Sequence, residues 1–224
     1  MITYIVESKR RAEKLKDHQL FGHILVKIEG DLSGSADVGT VLKSIEKRLP
    51  GRLFGEVDAI YIGNFKPLND RQVDSLYISG SILVGPNHED NSALFNTIVH
   101  ELAHAAEEVA GQFIYGDNSV QIEFLGKRKN LYQMLKDDYQ LDKKMFLNPQ
   151  FDQRFDNFLN SEIGYDNLGV MTSNLFISPY GCTSLREYFA NGFEHYFIEG
   201  PQYIKDISPA LYRKIAEVIK KKDL

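Results

Sequence analysis

The chain has a single cysteine, Cys182, in 224 residues. A lone thiol excludes an internal disulfide framework and any zinc site built from several cysteines, and it suits a reducing compartment. Long apolar runs are lacking too. The first ten residues carry no stretch long enough for the core of a secretory signal, and nothing approaches the roughly 20 apolar residues of a membrane span. As written, the sequence is expected to be cytoplasmic; a secreted mature form with its signal already removed would read the same way.

Excess positive charge is also missing. With 26 Lys and Arg against 31 Asp and Glu, the formal net charge is −5, and no basic stripe with interleaved aromatics appears. General affinity for nucleic acid or an anionic membrane is therefore not expected, and the expected partner is a peptide or protein substrate. There are no internal repeats and no low-complexity segments. A composition 43% apolar and 25% charged is that of an ordinary globular chain, long enough for one domain or two small subdomains.

Against that background one stretch stands out, Thr97-Ile98-Val99-His100-Glu101-Leu102-Ala103-His104. Residues four apart on an α-helix lie one turn above each other with Cβ atoms about 5–6 Å apart, so His100 and His104 can converge on one ion. Glu101, about 100° around the helix, reaches a water on that ion without replacing it as a ligand. This is the H-E-x-x-H arrangement of zinc hydrolases, with the glutamate as general base. Asn91 or Ser92 is the expected N-cap, and Leu94, Phe95, Ile98, Leu102, Ala105, Ala106 and Val109 recur at three- and four-residue steps. Gly111 is the expected stop. A helix over 92–110 would be about 28 Å long, with Thr97, His100, Glu101, His104 and Glu107 or Glu108 off its apolar stripe. The plain alternative is an amphipathic helix with two histidines on its polar face.

A catalytic zinc takes three protein ligands and keeps a fourth position open, so two histidines leave one place to fill. The continuation H-E-x-x-H-x-x-G-x-x-H is excluded, because Glu107 and Ala110 stand at its glycine and third-histidine positions. Asp117, the Glu162/Asp166 pair and Cys182 are weaker candidates. Glu187 is the best one: with Asn191 and Glu194 it forms one stripe of an aromatic-rich helix, so a ligand and its supporting partners would point the same way. Ser184-Leu185-Arg186-Glu187 also matches a capping box, in which Glu187 would only tie off its own helix. His195 is the reserve ligand.

Along the chain, residues 2–6 and 21–28 read as strands with a charged surface helix over 8–17 between them. A loop follows, then an amphipathic helix from Asp37 to Leu49, stopped by Pro50-Gly51, and a strand over 57–62. Residues 63–74 read as a polar connection. Residues 75–84 alternate Leu76, Ile78, Ile82 and Val84 against Tyr77, Ser79, Ser81 and Leu83, one half-buried strand whose exposed edge could pair with an extended substrate beside Tyr77, Ser79 and Ser81. Beyond Gly111 helices dominate: one marked by Val120, Phe124, Leu131 and Leu135, interrupted at Gly126 and a solvated Lys127-Arg128-Lys129 run; one marked by Phe151, Phe155, Phe158 and Leu159. After an irregular stretch over 164–180 come a helix over 183–197 and a last one from Ser208-Pro209.

His100-Glu101-Leu102-Ala103-His104, followed by Tyr180 and, seven residues on, by Glu187-Tyr188-Phe189-Ala190-Asn191-Gly192-Phe193, resembles the catalytic half of the anthrax lethal factor and Pro-Pro endopeptidase group of gluzincins. The resemblance covers residues 75–187 and one further turn, about half the chain. It implies that His100, His104 and Glu187 hold one zinc ion, that Glu101 is the base, and that Tyr180 hydrogen-bonds the oxyanion. Two features depart from the group. Eighty-two residues separate His104 from Glu187, so residues 112–179 include an insertion. Asn191 stands where the group has a second carboxylate.

The expected fold is α+β and zincin-like: an N-terminal lobe, 1–111, with a small mixed β-sheet and the HExxH helix, then a mainly helical C-terminal lobe, 112–224, with the metal in the cleft between them. The expected function is zinc-dependent endopeptidase. The rivals are a catalytically silent protein of the same fold and a zinc amidohydrolase acting on a non-protein amide.

Overall fold

The computed structural model describes residues 18–221; the strand expected over 2–6 and the helix over 8–17 lie outside the described residues. The chain is mixed α+β, a five-stranded mixed sheet followed by helices. It divides into two compact units, Met1–Ala105 and Ala106–Leu224. Among the described residues no helix is long and apolar enough to cross a membrane.

In the first unit the strands are β1 (His18–Leu20), β2 (Ile24–Ile28), β3 (Ala59–Ile62), β4 (Ser75–Ile78) and β5 (Ser81–Val84), in the order β1-β2-β3-β5-β4. The three central strands run parallel, and β1 and β4 are antiparallel edges. Ile24, Val26, Ile60, Ile62, Ile82 and Val84 are buried, the alternating β-branched set that a pleated strand turns toward one core. Helix α1 (Val38–Arg48) adds Val41, Leu42 and Ile45. It starts where Asp37 accepts from Thr40 N at 2.7 Å, and those bonds from Thr40 hold the Asp37 carboxyl below its usual range.

In this first unit three stretches differ from expectation. Residues 21–28 are not one strand, because Phe21 and Gly22 take positive φ of 53° and 74° and turn the chain between β1 and β2. The connection after β3 contains a short helix, α2 (Lys66–Arg71). Residues 75–84 form a hairpin: Ser79 and Gly80 sit at φ 43° and 80°, the two positive values of a tight two-residue turn. Tyr77 therefore pairs with Ile82 and Leu76 with Leu83, which reverses the faces read from a single strand. Tyr77 is buried, and its hydroxyl accepts from Gly80 N at 3.3 Å. Tyr77, Ser79 and Ser81 are thus not neighbours along one exposed strand face.

Helix α3 (Asn91–Tyr115) is followed by α4 (Ser119–Leu135), α5 (Lys143–Leu147), α6 (Gln153–Asn157), a π-helical stretch Phe158–Ile163, and α7 (Tyr165–Thr172). A 3-10 turn Tyr180–Cys182 then precedes α8 (Leu185–Ile198), α9 (Pro201–Ile207) and α10 (Pro209–Lys220). Residues 153–163 make an α-to-π run in place of one regular helix, Phe151 lies exposed ahead of it, and α7 occupies ground expected to be irregular. Phe124, Phe146, Phe155, Phe176, Phe189 and Phe193 are fully buried in the second unit's core. Helix α4 is continuous through Gly126, and two residues of its basic run are not solvated: Lys127 and Arg128 are buried, while Lys129 is exposed. The positions explain this, since 127 and 128 fall on the stripe of Phe124 and Leu131. Lys127 Nζ donates to the carbonyls of Leu175 and Ile207, each at 2.6 Å, so its charge is met by backbone dipoles. Glu123 faces α10, accepting from Ala210 N at 2.7 Å and Leu211 N at 3.1 Å, and from the Tyr188 hydroxyl at 2.9 Å. A carboxylate on bare helix N–H groups supplies the cap that α10 lacks.

Candidate metal centre

Helix α3 begins on Asp90 rather than Asn91 or Ser92. The Asp90 carboxylate accepts from the N–H groups of Ser92 and Ala93, each at 2.9 Å, while Asn91 Oδ1 accepts from Asp37 N at 2.7 Å. Gly111 does not end the helix. It has an ordinary helical φ, and glycine there costs only about 1 kcal/mol against alanine; the last turn closes at Gly116, whose N–H donates to Gln112 O at 3.0 Å. Leu94, Ile98, Leu102, Ala105 and Ala106 are buried, which fixes the rotation of the helix and hence the direction of its histidines.

His100 and His104 stand with ring centroids 4.9 Å apart and planes at 87°, the one-turn neighbours that the spacing requires. Glu101 is 4% exposed and accepts from Ser75 Oγ at 2.6 Å. Ser75 opens β4, so a strand hydroxyl holds the glutamate that follows the first histidine.

Helix α8 brings the third group. Ser184 has extended backbone and its Oγ accepts from Glu187 N at 3.1 Å, so the cap exists. It engages the backbone N–H of Glu187. One ligand atom each of His100, His104 and Glu187 lie within 4.8 Å of one another, and His104 is buried. Among the described residues this is the one group of three such side chains so placed.

The other candidates are occupied elsewhere. Asp117 meets Lys214 at 2.9 Å and accepts from Ser119. Burial pushes the Cys182 thiol up to about 12, and its sulfur donates to Pro179 O at 2.9 Å, an inert thiol rather than a thiolate ligand. His195 packs against Tyr203 at 5.3 Å, with Nε2 3.7 Å from Glu199. Neither Glu162 nor Asp166 joins the group of three.

Asn191 Nδ2 donates to the carbonyl of Glu187 at 2.8 Å, and its Oδ1 accepts from the Ser178 hydroxyl. Ser178 Oγ also accepts from Gly181 N at 3.1 Å. Asn191 thereby ties the helix turn of Glu187 to the segment of Tyr180. An amide does here what a carboxylate cannot, since it donates and accepts at once. Tyr180 is half exposed, and its ring meets the edge of Tyr165 at 6.0 Å. Glu194 lies half-buried on α8.

Three further residues, Glu107, Tyr115 and Arg186, have no site role in the sequence reading. Glu107, one turn beyond His104, accepts from the Tyr115 hydroxyl at 2.6 Å and faces Arg186 Nε at 3.4 Å. Burial, then the nearby charge of Glu107, raises the Tyr115 phenol far above its usual value, and Glu187 adds to the effect. The signal for Glu107 was its three-residue step from His104; nothing local marks Tyr115 or Arg186.

Two imidazoles and one carboxylate form a three-donor set of the kind zinc takes in hydrolytic sites, and Glu101, bonded to Ser75, stands outside it. The residues present fit that ion. No protein-family profile, no curated protein and no solved structure matches this chain. The likeness to gluzincins rests on the residues named above and on their spacing.

Proposed function

We propose that this chain is a zinc-dependent metalloendopeptidase, a gluzincin of zincin-like fold in which His100, His104 and Glu187 hold one ion. The observation that carries the reading is the approach of those three side chains to within 4.8 Å, with a buried glutamate directly after the first histidine. A zinc ion held there supplies Lewis acidity, polarising a peptide carbonyl and acidifying a water molecule.

The chain's own groups supply the rest. Glu101 takes a proton from the attacking water, whose oxygen bonds to the carbonyl carbon, and passes that proton to the departing amide nitrogen as the C–N bond breaks. The second proton of the water follows to the nitrogen, so a carboxylate and a protonated amine are the products. Ser75, through its 2.6 Å bond, holds the Glu101 carboxylate in one orientation. Tyr180 donates to the negative oxygen that develops on the carbonyl, a bond worth about 3 kcal/mol at the transition state. An extended peptide aligns along β4, an edge strand of the sheet, through backbone pairing.

Incubating the purified chain with a peptide library, with and without a chelator, tests this reading. Cleavage that stops on metal removal, returns with zinc and is lost in Glu101→Gln supports it. Stoichiometric zinc with no Glu101-dependent cleavage favours the silent protein, and hydrolysis confined to non-peptide amides favours the amidohydrolase.

A further inference from the structure

The proposed chemistry uses nothing from residues 112–179, yet one side chain there reaches into the segment that carries Tyr180 and Glu187. Arg128, on α4, is 1% exposed. Its Nη1 donates to the carbonyls of Cys182 at 2.8 Å and Thr183 at 3.2 Å, and its Nη2 to Met145 O at 2.5 Å. The guanidinium carbon lies 3.9 Å from the centre of the Phe155 ring. Its Nε has no hydrogen-bond partner, and no carboxylate binds it among the described residues.

Burying a charge with no carboxylate bonded to it is costly, and a core of this kind is filled more cheaply by an apolar side chain. The location of the accepting carbonyls explains why the charge is there. Cys182 and Thr183 are the two residues immediately before Ser184, the cap of α8; Cys182 ends the 3-10 turn that Tyr180 opens, and Thr183 caps it. Nη1 takes both carbonyls while Nη2 takes Met145 O, so the planar guanidinium fixes three carbonyls in one rigid fork. The chain between Tyr180 and Glu187 is thus held at its middle from α4.

We propose that Arg128 is a positioning residue for the Glu187 ligand, and that setting the path of residues 180–187 is what helix α4 contributes to the site. This rests on the metal reading above. It calls for no contact between Arg128 and metal or substrate; the effect passes through the Cys182 and Thr183 carbonyls to the first turn of α8.

The test compares the full-length wild-type chain with Arg128→Lys, Arg128→Met and Lys127→Met. Lys127→Met is the control, because it removes another buried cation from the same helix whose carbonyl partners, Leu175 and Ile207, lie outside the 180–187 segment. Zinc affinity is read by chelator competition well below each melting temperature, and coordination from the visible spectrum of the cobalt-substituted protein. Arg128→Met is expected to weaken zinc roughly ten- to hundredfold, the range for losing a group that orients a ligand, and to alter the cobalt bands. Arg128→Lys is expected to fall between it and wild type. Lys127→Met is expected to melt lower while keeping wild-type affinity and spectrum. Wild-type affinity and spectrum in both Arg128 variants, or equal weakening in Lys127→Met, would overturn the proposal while leaving the metal reading intact. If Arg128→Met does not fold, Arg128→Lys decides. A wild-type chain that takes up no zinc removes the metal reading itself, and this proposal with it.

Discussion

Ser75 Oγ donates to Glu101 Oε1 at 2.6 Å, so the first residue of an edge strand orients the carboxylate proposed to move the proton. Without that hydroxyl the carboxylate loses a charge-assisted bond, a kind worth roughly 1.5–3 kcal/mol. Ser75→Ala is expected to lower kcat about tenfold, the equivalent of about 1.4 kcal/mol, with KM and zinc content unchanged. Steady-state kinetics beside metal analysis checks this, and an unaltered kcat would remove Ser75 from the account.

Gly192, on α8, is packed too closely for any side chain. A Cβ there would stand 2.4 Å from Leu211 Cδ2 and 3.2 Å from Ile215 Cδ1. Overpacking of this kind costs about 1–3 kcal/mol. Gly192→Ala is expected to lower the urea midpoint accordingly, since the buried Leu211 and Ile215 side chains must give way to admit the methyl group.

Cys182 is held as a thiol by burial, its pKa pushed up to about 12. A value raised above the unfolded one means that the associated stability is present below about pH 8.5, the usual cysteine value, and is lost as pH rises toward the folded value. At pH 8 a thiol reagent is expected to leave the native chain unmodified and to label one cysteine per chain in urea. Rapid labelling of the native protein would contradict the buried, protonated assignment.

Asp117 is held below the ordinary carboxylate range, first by its bond from Lys214 and then by the backbone and hydroxyl of Ser119. A depressed folded value means that its contribution is present above the unfolded pKa, near 4, and is lost as pH falls through the folded one. Asp117→Asn is expected to melt below wild type at pH 7, with the gap closing as pH falls below about 4. A gap that stays constant with pH would show that the charge is not what matters.

The histidine pair was legible because its meaning is local: a four-residue step on an apolar-striped helix fixes which side chains meet. Glu187 was legible as a candidate but not as a choice, since the Ser184 cap and the carboxylate's approach to the histidines both occur, and spacing alone does not say which part of Glu187 the cap engages. The hairpin was missed because apolar residues at even positions continued across Ser79-Gly80; the two positive φ values reverse the faces without breaking the written alternation. Lys127 and Arg128 were misread because charge was weighed above position. Both sit on the stripe of Phe124 and Leu131, and the carbonyls that satisfy them lie 17 to 80 residues away in the chain. The partner of Glu101, 26 residues earlier, is likewise set by the fold and not by its neighbours in sequence.

The zinc-edge anomalous difference map of a crystal grown with zinc tests the central claim most directly. One peak is expected about 2.0–2.2 Å from a ring nitrogen of His100, a ring nitrogen of His104 and a carboxylate oxygen of Glu187, with Glu101 outside bonding distance. A peak that lacks the Glu187 carboxylate, or no peak at the histidine pair, would contradict it.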